Sequence, residues 1–327
     1  MNVPSLTEIR RNPEWLPHTY DKEGSNLVFV KVTQSAHQAL PFLNTEELRH
    51  GFNYASVPIG PLASVAASQP KGALHFIFHT AFCCSTLLVN ALASTGRVVG
   101  MKEPAVFLNL VHRFMRGESF DSTKRLDLVL RLLSRPFEGT SGTVAKPSCF
   151  ANPLLPHVLK TAPSSRAILL HSDITTFLYA VAKRGQVGRD WARSVYESCV
   201  RYIPIEAATN AQLGATSDLE AAGLAWLLRR NQFNQVALQL GPSRVMQIDG
   251  ERLIHSADGL RFALEFFKID GTVSSSTFGR HSKTGRTYSP EHRTKERRQL
   301  EVQFGDEVER VSQRIQRLAT ELEIALD

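Results

Sequence analysis

From residue 73 onward, short apolar runs alternate with stretches in which apolar residues recur at helical spacing. The apolar runs, each four to six residues long, lie at 74–79, 97–101, 143–146, 166–171 and 244–248. The helical patterns cover about 85–94, 104–115, 121–134, 150–160, 174–184, 188–201 and 217–240. Continuous apolar strands that alternate with helices indicate a parallel sheet covered by helices on both faces. The pattern therefore predicts an α/β fold.

The two ends of the chain show other patterns. Residues 27–33 alternate as a half-buried strand does, and residues 57–72 are rich in Pro, Gly, Ser and Ala, which is typical of a linker. The C-terminal residues are charged and helical, with an apolar stripe formed by Val308, Val311, Ile315 and Leu318. We expect an N-terminal extension with one strand and a linker, a main α/β domain and a helical tail, at 1–72, 73–289 and 290–327.

The composition is that of a soluble globular protein, with 43% hydrophobic and 21% charged residues in a chain of 327. No apolar run approaches the roughly 18 residues that a membrane span needs, and no apolar signal segment follows Arg10 and Arg11. The four cysteines form no CxxC pair, so we expect reduced thiols. Together these features favour a cytoplasmic protein with no membrane association.

The formal net charge of +7 is concentrated in one stretch. Residues 279–298 contain seven basic and two acidic residues, a local excess of +5. Such a cluster attracts an anion, which could be a nucleotide or a nucleic acid, although from Arg293 onward it also fits a solvated helix face. Tyr288 is the one aromatic residue in this stretch, so the sequence does not favour a stacking platform for nucleic acid.

The segment 80–86, Thr-Ala-Phe-Cys-Cys-Ser-Thr, connects the first predicted strand of the sheet to a helix. Backbone N–H groups at a helix N-terminus lack intrahelical partners and favour an anion, and Ser85 and Thr86 can add hydroxyl groups. The segment has neither the glycines nor the lysine of a nucleotide-binding GxxxxGK[ST] loop, so a capped turn remains open. A metal site of His75, His79 and the two cysteines is disfavoured, because adjacent cysteines are poor joint ligands.

Charged and polar residues follow the other predicted strands, at the edge of the sheet where ligands bind. Glu103 could act as a general base beside Lys102, or form an edge ion pair, and Lys146 has the same placement after the third strand. After the fourth strand, Ser172 precedes Asp173, a residue suited to cap the next helix, and Lys183 near the end of that helix fits its dipole.

Five motifs follow one another along the chain: FHTAFCCSTLL, KEP, VAKPS, HSDITTFLYAVAKRG and HSK. In this order they resemble the sulfotransferases that use phosphoadenosine phosphosulfate (PAPS), in particular a divergent bacterial branch with an FHTxFCCSTLL loop. The resemblance covers about residues 13–290. It implies a P-loop NTPase-like three-layer fold with a five-stranded parallel sheet flanked by helices. It also implies PAPS as donor substrate, no metal, and a small-molecule acceptor with a hydroxyl or amine group.

The resemblance also assigns roles to residues. The loop would hold the 5′-phosphosulfate through Thr80, Phe82, Cys83, Cys84, Ser85 and Thr86. Glu103 would be the base for the acceptor, and the segment from Ser172 would lie by the 3′-phosphate. Family members usually have Lys or Arg at the position of Phe82, and the residues that could replace this cation are Lys102, Lys146 and Lys183. Arg280 and Lys283 are the candidates for holding the 3′-phosphate.

Two other functions are compatible with the same residues. One is a catalytically degenerate member of the fold that binds a nucleotide or a protein partner, and the other is a small-molecule kinase with a P-loop. The missing lysine of the GK[ST] motif counts against the kinase. The identity of the acceptor and the oligomeric state do not follow from the sequence.

Overall fold

A computed structural model describes residues 4–66, 72–117, 121–203, 205, 208–255, 257–273 and 290–326. Within these residues, eight strands lie in two sheets: β1 Trp15–Tyr20, β2 Asn26–Lys31, β3 Tyr54–Pro58, β4 Ala73–His79, β5 Val98–Lys102, β6 Gly142–Lys146, β7 Ala167–His171 and β8 Val245–Asp249. None of the helices that the structure describes is both long enough and apolar enough to cross a membrane.

The described helices flank and connect these strands. The first seven are α1 Leu6–Arg11, α2 Gln34–Ala39, α3 Ile59–Ala66, α4 Ser85–Ala93, α5 Ala105–Met115, α6 Asp121–Leu133 and α7 Leu155–Thr161, the last preceded by a 3-10 helix at Cys149–Leu154. The others are α8 Ile174–Ala182, α9 Gly185–Tyr202, α10 Asn210–Leu213, α11 Asp218–Leu240, α12 Gly250–His255, α13 Ala257–Phe267 and α14 Pro290–Glu321.

The larger sheet is parallel and five-stranded, in the order β5-β6-β4-β7-β8, and helices flank it, as the sequence predicted. The first strand of this sheet in chain order, β4, lies in its centre. From β4 the chain passes to β5 and β6 on one side, and then to β7 and β8 on the other. In open parallel sheets this change of direction opens a crevice at the carboxyl ends of the strands, and ligands bind there. The loop after β4 follows the carboxyl end of the central strand.

The N-terminal region contains more regular structure than the sequence suggested. Strands β1, β2 and β3 form an antiparallel sheet, where one strand was predicted, and 59–66 of the expected linker forms helix α3. Strand β1 was missed because Pro17 interrupts its alternation, and the strand has a register shift at this residue. Pro61 suggested a linker, but it occupies the first turn of α3, where proline is tolerated.

The chain divides into two compact units that interleave in sequence. The first comprises residues 1–78, 86–168 and 257–277, and the second comprises 79–85, 169–256 and 278–327. In the first unit, the paired strands β4, β5 and β6 are buried along nearly their whole length. Burial on both faces explains why these strands read as unbroken apolar runs.

The second unit is organised around α11, which packs against α8, α9, α14 and β8. Most of its residues are buried, so its sequence shows no single apolar face. Gly223 permits the close packing of α14, because a Cβ at this position would lie 2.8 Å from Cγ1 of Ile315. The predicted stripe of α14 is confirmed as buried.

Candidate functional site

The loop between β4 and α4 has an unusual backbone conformation. Ala81, Phe82 and Cys84 have φ angles of 81°, 53° and 64°, in the left-handed region that non-glycine residues rarely adopt. Backbone strain of this kind persists where the surroundings impose it, and it is concentrated at ligand sites. Left-handed residues in a tight turn bring successive N–H groups into a concave arrangement that suits an anion. Helix α4 begins directly after the loop, at Ser85.

Strand β7 and the end of β4 hold the root of this loop. The Thr80 N–H donates to the carbonyl of Leu170 at 3.0 Å, and the Cys83 thiol approaches the same carbonyl at 3.4 Å. The Ala81 N–H donates to Nδ1 of His79 at 3.1 Å. His79 therefore acts as an acceptor within the loop, and this nitrogen is engaged by the backbone. Within the described part of the chain, no group of three or more His, Cys, Asp or Glu side chains is arranged to hold a metal ion.

Two further residues that the sequence did not indicate shape the loop. Nη1 of Arg229, on α11, donates to the Thr80 carbonyl at 2.8 Å, and the side chain of Arg229 is fully buried. Gly250, at the start of α12, packs against Cys83, since a Cβ at this position would lie 2.5 Å from the Cys83 carbonyl oxygen. The loop is thus supported by α11 and α12 as well as by β7.

Two buried hydroxyl groups in the second unit have no hydrogen-bond partner among the described residues. They are Oγ1 of Thr80 and Oγ of Ser172, whose residues are 0% and 2% exposed. Buried polar groups nearly always have partners, and an exception suggests a ligand or ordered water that completes the bonding. Both residues were predicted to contact the nucleotide. Asp173 caps α8 by accepting from the Thr176 N–H at 2.9 Å, the role that the sequence favoured.

The predicted basic ligands differ in their surroundings. The Lys183 ammonium forms an ion pair with Glu296 of α14 at 2.7 Å, with both side chains partly exposed, so nucleotide binding by Lys183 would require this pair to open. Arg280 and Lys283 lie outside the described residues. Arg184, to which the sequence pattern assigned no role in ligand binding, lies over the ring of Phe82, with its guanidinium carbon 3.9 Å from the ring centroid.

The three predicted catalytic residues form a cluster in the first unit. Nζ of Lys146 lies 2.6 Å from Oε1 of Glu103, and the Glu103 N–H donates to the Lys146 carbonyl at 2.7 Å. Glu103 has a left-handed φ of 55°, and its side chain is 21% exposed while that of Lys146 is 2% exposed. The Lys102 ammonium donates to the carbonyl of Gln38 at 3.1 Å. Lys102 is therefore directed to the N-terminal segment, a contact that its position at the end of β5 does not predict.

Burial perturbs the titration of this cluster. The pKa of Lys102 is lowered from 10.5 to about 8, mainly by burial and additionally by the positive charge of Lys146. The pKa of His37, which is fully buried, is lowered to about 3 by burial and by the charge of Lys102. The imidazole of His37 is accordingly neutral near pH 7, and Lys102 can lose its proton within an accessible pH range.

The lowered pKa of Lys102 predicts a pH-dependent stability. Between pH 8 and 10.5 the unfolded chain keeps a proton on Lys102 that the folded protein has lost, so the free energy of unfolding gains a rising contribution from this residue. We expect the wild type to gain stability relative to Lys102→Met across this range, measured by urea unfolding at a series of pH values. Below pH 8 the difference between the two proteins should be constant. Parallel curves up to pH 10.5 would contradict the lowered pKa.

The chain was compared with known proteins. No protein-family model matches it, and no curated protein matches it in sequence. The solved structure described as the sulfotransferase domain from the curacin biosynthetic pathway is similar, with a TM-score of 0.43 and 16% identity, over 80% of this chain and 100% of that chain.

Two other solved structures are similar to this chain. A sulfotransferase from Alicyclobacillus acidocaldarius has a TM-score of 0.44 and 15% identity, over 79% of this chain and 98% of that chain. The sulfotransferase domain from the Synechococcus PCC 7002 olefin synthase has a TM-score of 0.36 and 12% identity, over 69% of this chain and 84% of that chain. All three are sulfotransferase structures to which this chain is similar.

Proposed function

We propose that this chain transfers a sulfuryl group from PAPS to a hydroxyl or amine acceptor. The observation that carries the proposal is the loop after the central strand β4, in which three of four consecutive residues, 81–84, have left-handed backbones. Its N–H groups, with Ser85 and Thr86 at the start of α4, suit the oxygens of a phosphosulfate. The order of the sequence motifs supports PAPS as the donor.

In this proposal the acceptor oxygen or nitrogen attacks the sulfur, and the bond between sulfur and the phosphate oxygen breaks. The electron pair stays on that oxygen, and adenosine 3′,5′-bisphosphate leaves. Glu103 takes the acceptor proton, a role that fits a carboxylate whose side chain is 21% exposed and lies 2.6 Å from the Lys146 ammonium. Thr80 and Ser172 provide buried hydroxyl groups that bonds to the nucleotide would satisfy.

Binding of adenosine 3′,5′-bisphosphate, measured by titration calorimetry, tests the proposal. We expect the wild type to bind, and Ser85→Ala combined with Thr86→Ala to bind about 10-fold more weakly, because about 1.4 kcal/mol of hydrogen bonding is lost. The matched control is Ser94→Ala with Thr95→Ala, which removes a Ser-Thr pair just beyond the other end of α4. Those hydroxyls donate to helix carbonyls at 2.7 Å, so binding should not change.

Failure of the wild type to bind at millimolar ligand would overturn the proposal. Stabilisation by ATP with magnesium, and not by PAPS, in a thermal-shift assay would instead favour a kinase. Binding without a sulfated product from any acceptor in a screen would favour a nucleotide-binding protein without transfer activity.

A further inference from the structure

The loop at 80–86 contains no charged residue, although the proposed ligand is an anion. Backbone N–H groups supply only partial positive charge, and hydrogen bonds from a full cation are roughly twice as strong as neutral ones. Arg229 reaches the loop at its root, where its Nη1 donates to the Thr80 carbonyl. The ammonium of Lys183 is paired with Glu296. A second basic side chain contacts the loop at Phe82.

This second basic residue is Arg184. It lies between α8 and α9, and its guanidinium carbon is 3.9 Å from the centroid of the Phe82 ring. Its Nη1 also donates to the carbonyl of Ala180. The Phe82 ring is in turn packed against Trp191 and Phe177, with centroid distances of 4.8 and 5.9 Å. The Phe82 ring, itself packed against Trp191 and Phe177, and the Ala180 carbonyl therefore hold the guanidinium group against the loop.

Stacking leaves a guanidinium group able to bind an anion. The group is planar, its N–H groups point outward in the plane, and it stacks on aromatic faces through the perpendicular direction. An arginine on the Phe82 ring can therefore keep its contact with the ring while it donates to phosphate or sulfate oxygens. Arg184 is solvent-exposed, so an anion can approach it.

We propose that Arg184 supplies the positive charge of the phosphosulfate loop and contacts the anionic group of the donor, with Phe82 as the platform that positions it. This inference rests on the proposed sulfuryl transfer. When the bond between sulfur and the phosphate oxygen breaks, negative charge develops on the leaving oxygen, and a guanidinium group at the loop tip neutralises it. The hydroxyl of Thr80, buried and unpartnered among the described residues, independently indicates a ligand at the same loop.

The test measures binding of adenosine 3′,5′-bisphosphate and of inorganic pyrophosphate by calorimetry. Arg184→Ala is expected to weaken both about 10-fold, and Arg184→Lys by less, since it keeps the charge and loses the planar donors. Arg201→Ala is the matched control. Arg201 is exposed and lies over the ring of Tyr202 at 5.3 Å, at the other end of α9 and roughly 25 Å along that helix, so its loss should not affect binding.

A second variant separates charge from structure. Phe82→Lys in the Arg184→Ala background places a cation on the loop itself and is expected to restore most of the lost binding. If Arg184 only braced the Phe82 ring, this substitution would remove the ring as well and binding would fall further. Wild-type binding retained in Arg184→Ala would overturn the inference while the proposed function stands.

The two proposals can fail separately. If the wild type binds pyrophosphate in an Arg184-dependent way but does not bind adenosine 3′,5′-bisphosphate, the loop is an anion site with Arg184 as its cation and the proposed function is wrong. If neither compound binds to the wild type, both proposals are overturned.

Discussion

Gly250→Ala is expected to weaken the binding of adenosine 3′,5′-bisphosphate by about 100-fold, or about 2.7 kcal/mol, because hydrogen bonds to a charged ligand contribute about 1.5–3 kcal/mol each and a displaced loop loses them. A Cβ at this position would lie 2.5 Å from the carbonyl oxygen and 3.0 Å from the carbonyl carbon of Cys83. Both are backbone atoms, so the contact cannot be relieved by rotation of a side chain. The loop has to move, and its N–H groups move with it.

Calorimetry measures this effect, and the rate at which a thiol reagent modifies Cys84 reports loop displacement without any ligand. The matched control is Gly305→Ala, in α14 of the same unit. A Cβ there meets only the Tyr179 hydroxyl at 3.9 Å, an ordinary contact, so binding should be unchanged. Replacing glycine inside this helix should add about 0.5–1 kcal/mol of stability. Wild-type affinity in Gly250→Ala would show that the loop backbone does not position the nucleotide.

Arg229→Leu is expected to lower the free energy of unfolding by about 3 kcal/mol. The guanidinium group is fully buried, and its loss removes the 2.8 Å hydrogen bond to the Thr80 carbonyl as well as the packing of a large side chain. Removing the charged donor of a buried hydrogen bond leaves the acceptor, here the Thr80 carbonyl, without that donor. The free-energy cost of burying an unsatisfied acceptor exceeds the net contribution of the hydrogen bond to stability. The effect is measured by urea unfolding followed by tryptophan fluorescence.

The control for this variant is Arg193→Leu. Arg193 also lies in the second unit and forms an ion pair with Asp218, but its side chain is 63% exposed. Exposed ion pairs contribute about 0–1 kcal/mol, so a small change is expected. Equal effects of the two substitutions would mean that the buried contact to Thr80 adds nothing to stability.

The larger sheet could be predicted from sequence because its strands are buried on both faces. The run at 166–171, for example, corresponds to β7, in which every residue is buried. The antiparallel sheet was only partly predicted, because Pro17 and His18 break the alternation of β1. The helix α11 was predicted as an element, but its buried arginines, Arg229 and Arg230, could not be distinguished from surface residues by spacing alone.

The candidate site was predictable where its residues are neighbours in the chain. The loop after β4 and Ser172 followed from their positions at strand ends. Arg184 and Gly250 reach the loop through tertiary packing, across about 100 and 170 residues of sequence, and no local pattern marks either as a partner of Phe82 or Cys83. Lys183 was chosen for its charge, whereas the neighbouring Arg184 is the residue whose side chain lies on Phe82.

The left-handed backbone of the loop has a consequence for how such sites are recognised and transferred. Ala81, Phe82 and Cys84 have no intrinsic preference for the left-handed backbone conformations they adopt. The contacts that the loop makes with β7, α11 and α12 therefore impose its conformation. The heptapeptide alone is therefore not a portable motif. Transfer of the loop into another scaffold therefore requires residues equivalent to Leu170 and Arg229. A search for distant relatives should likewise include these contacting residues as well as the sequence of the loop.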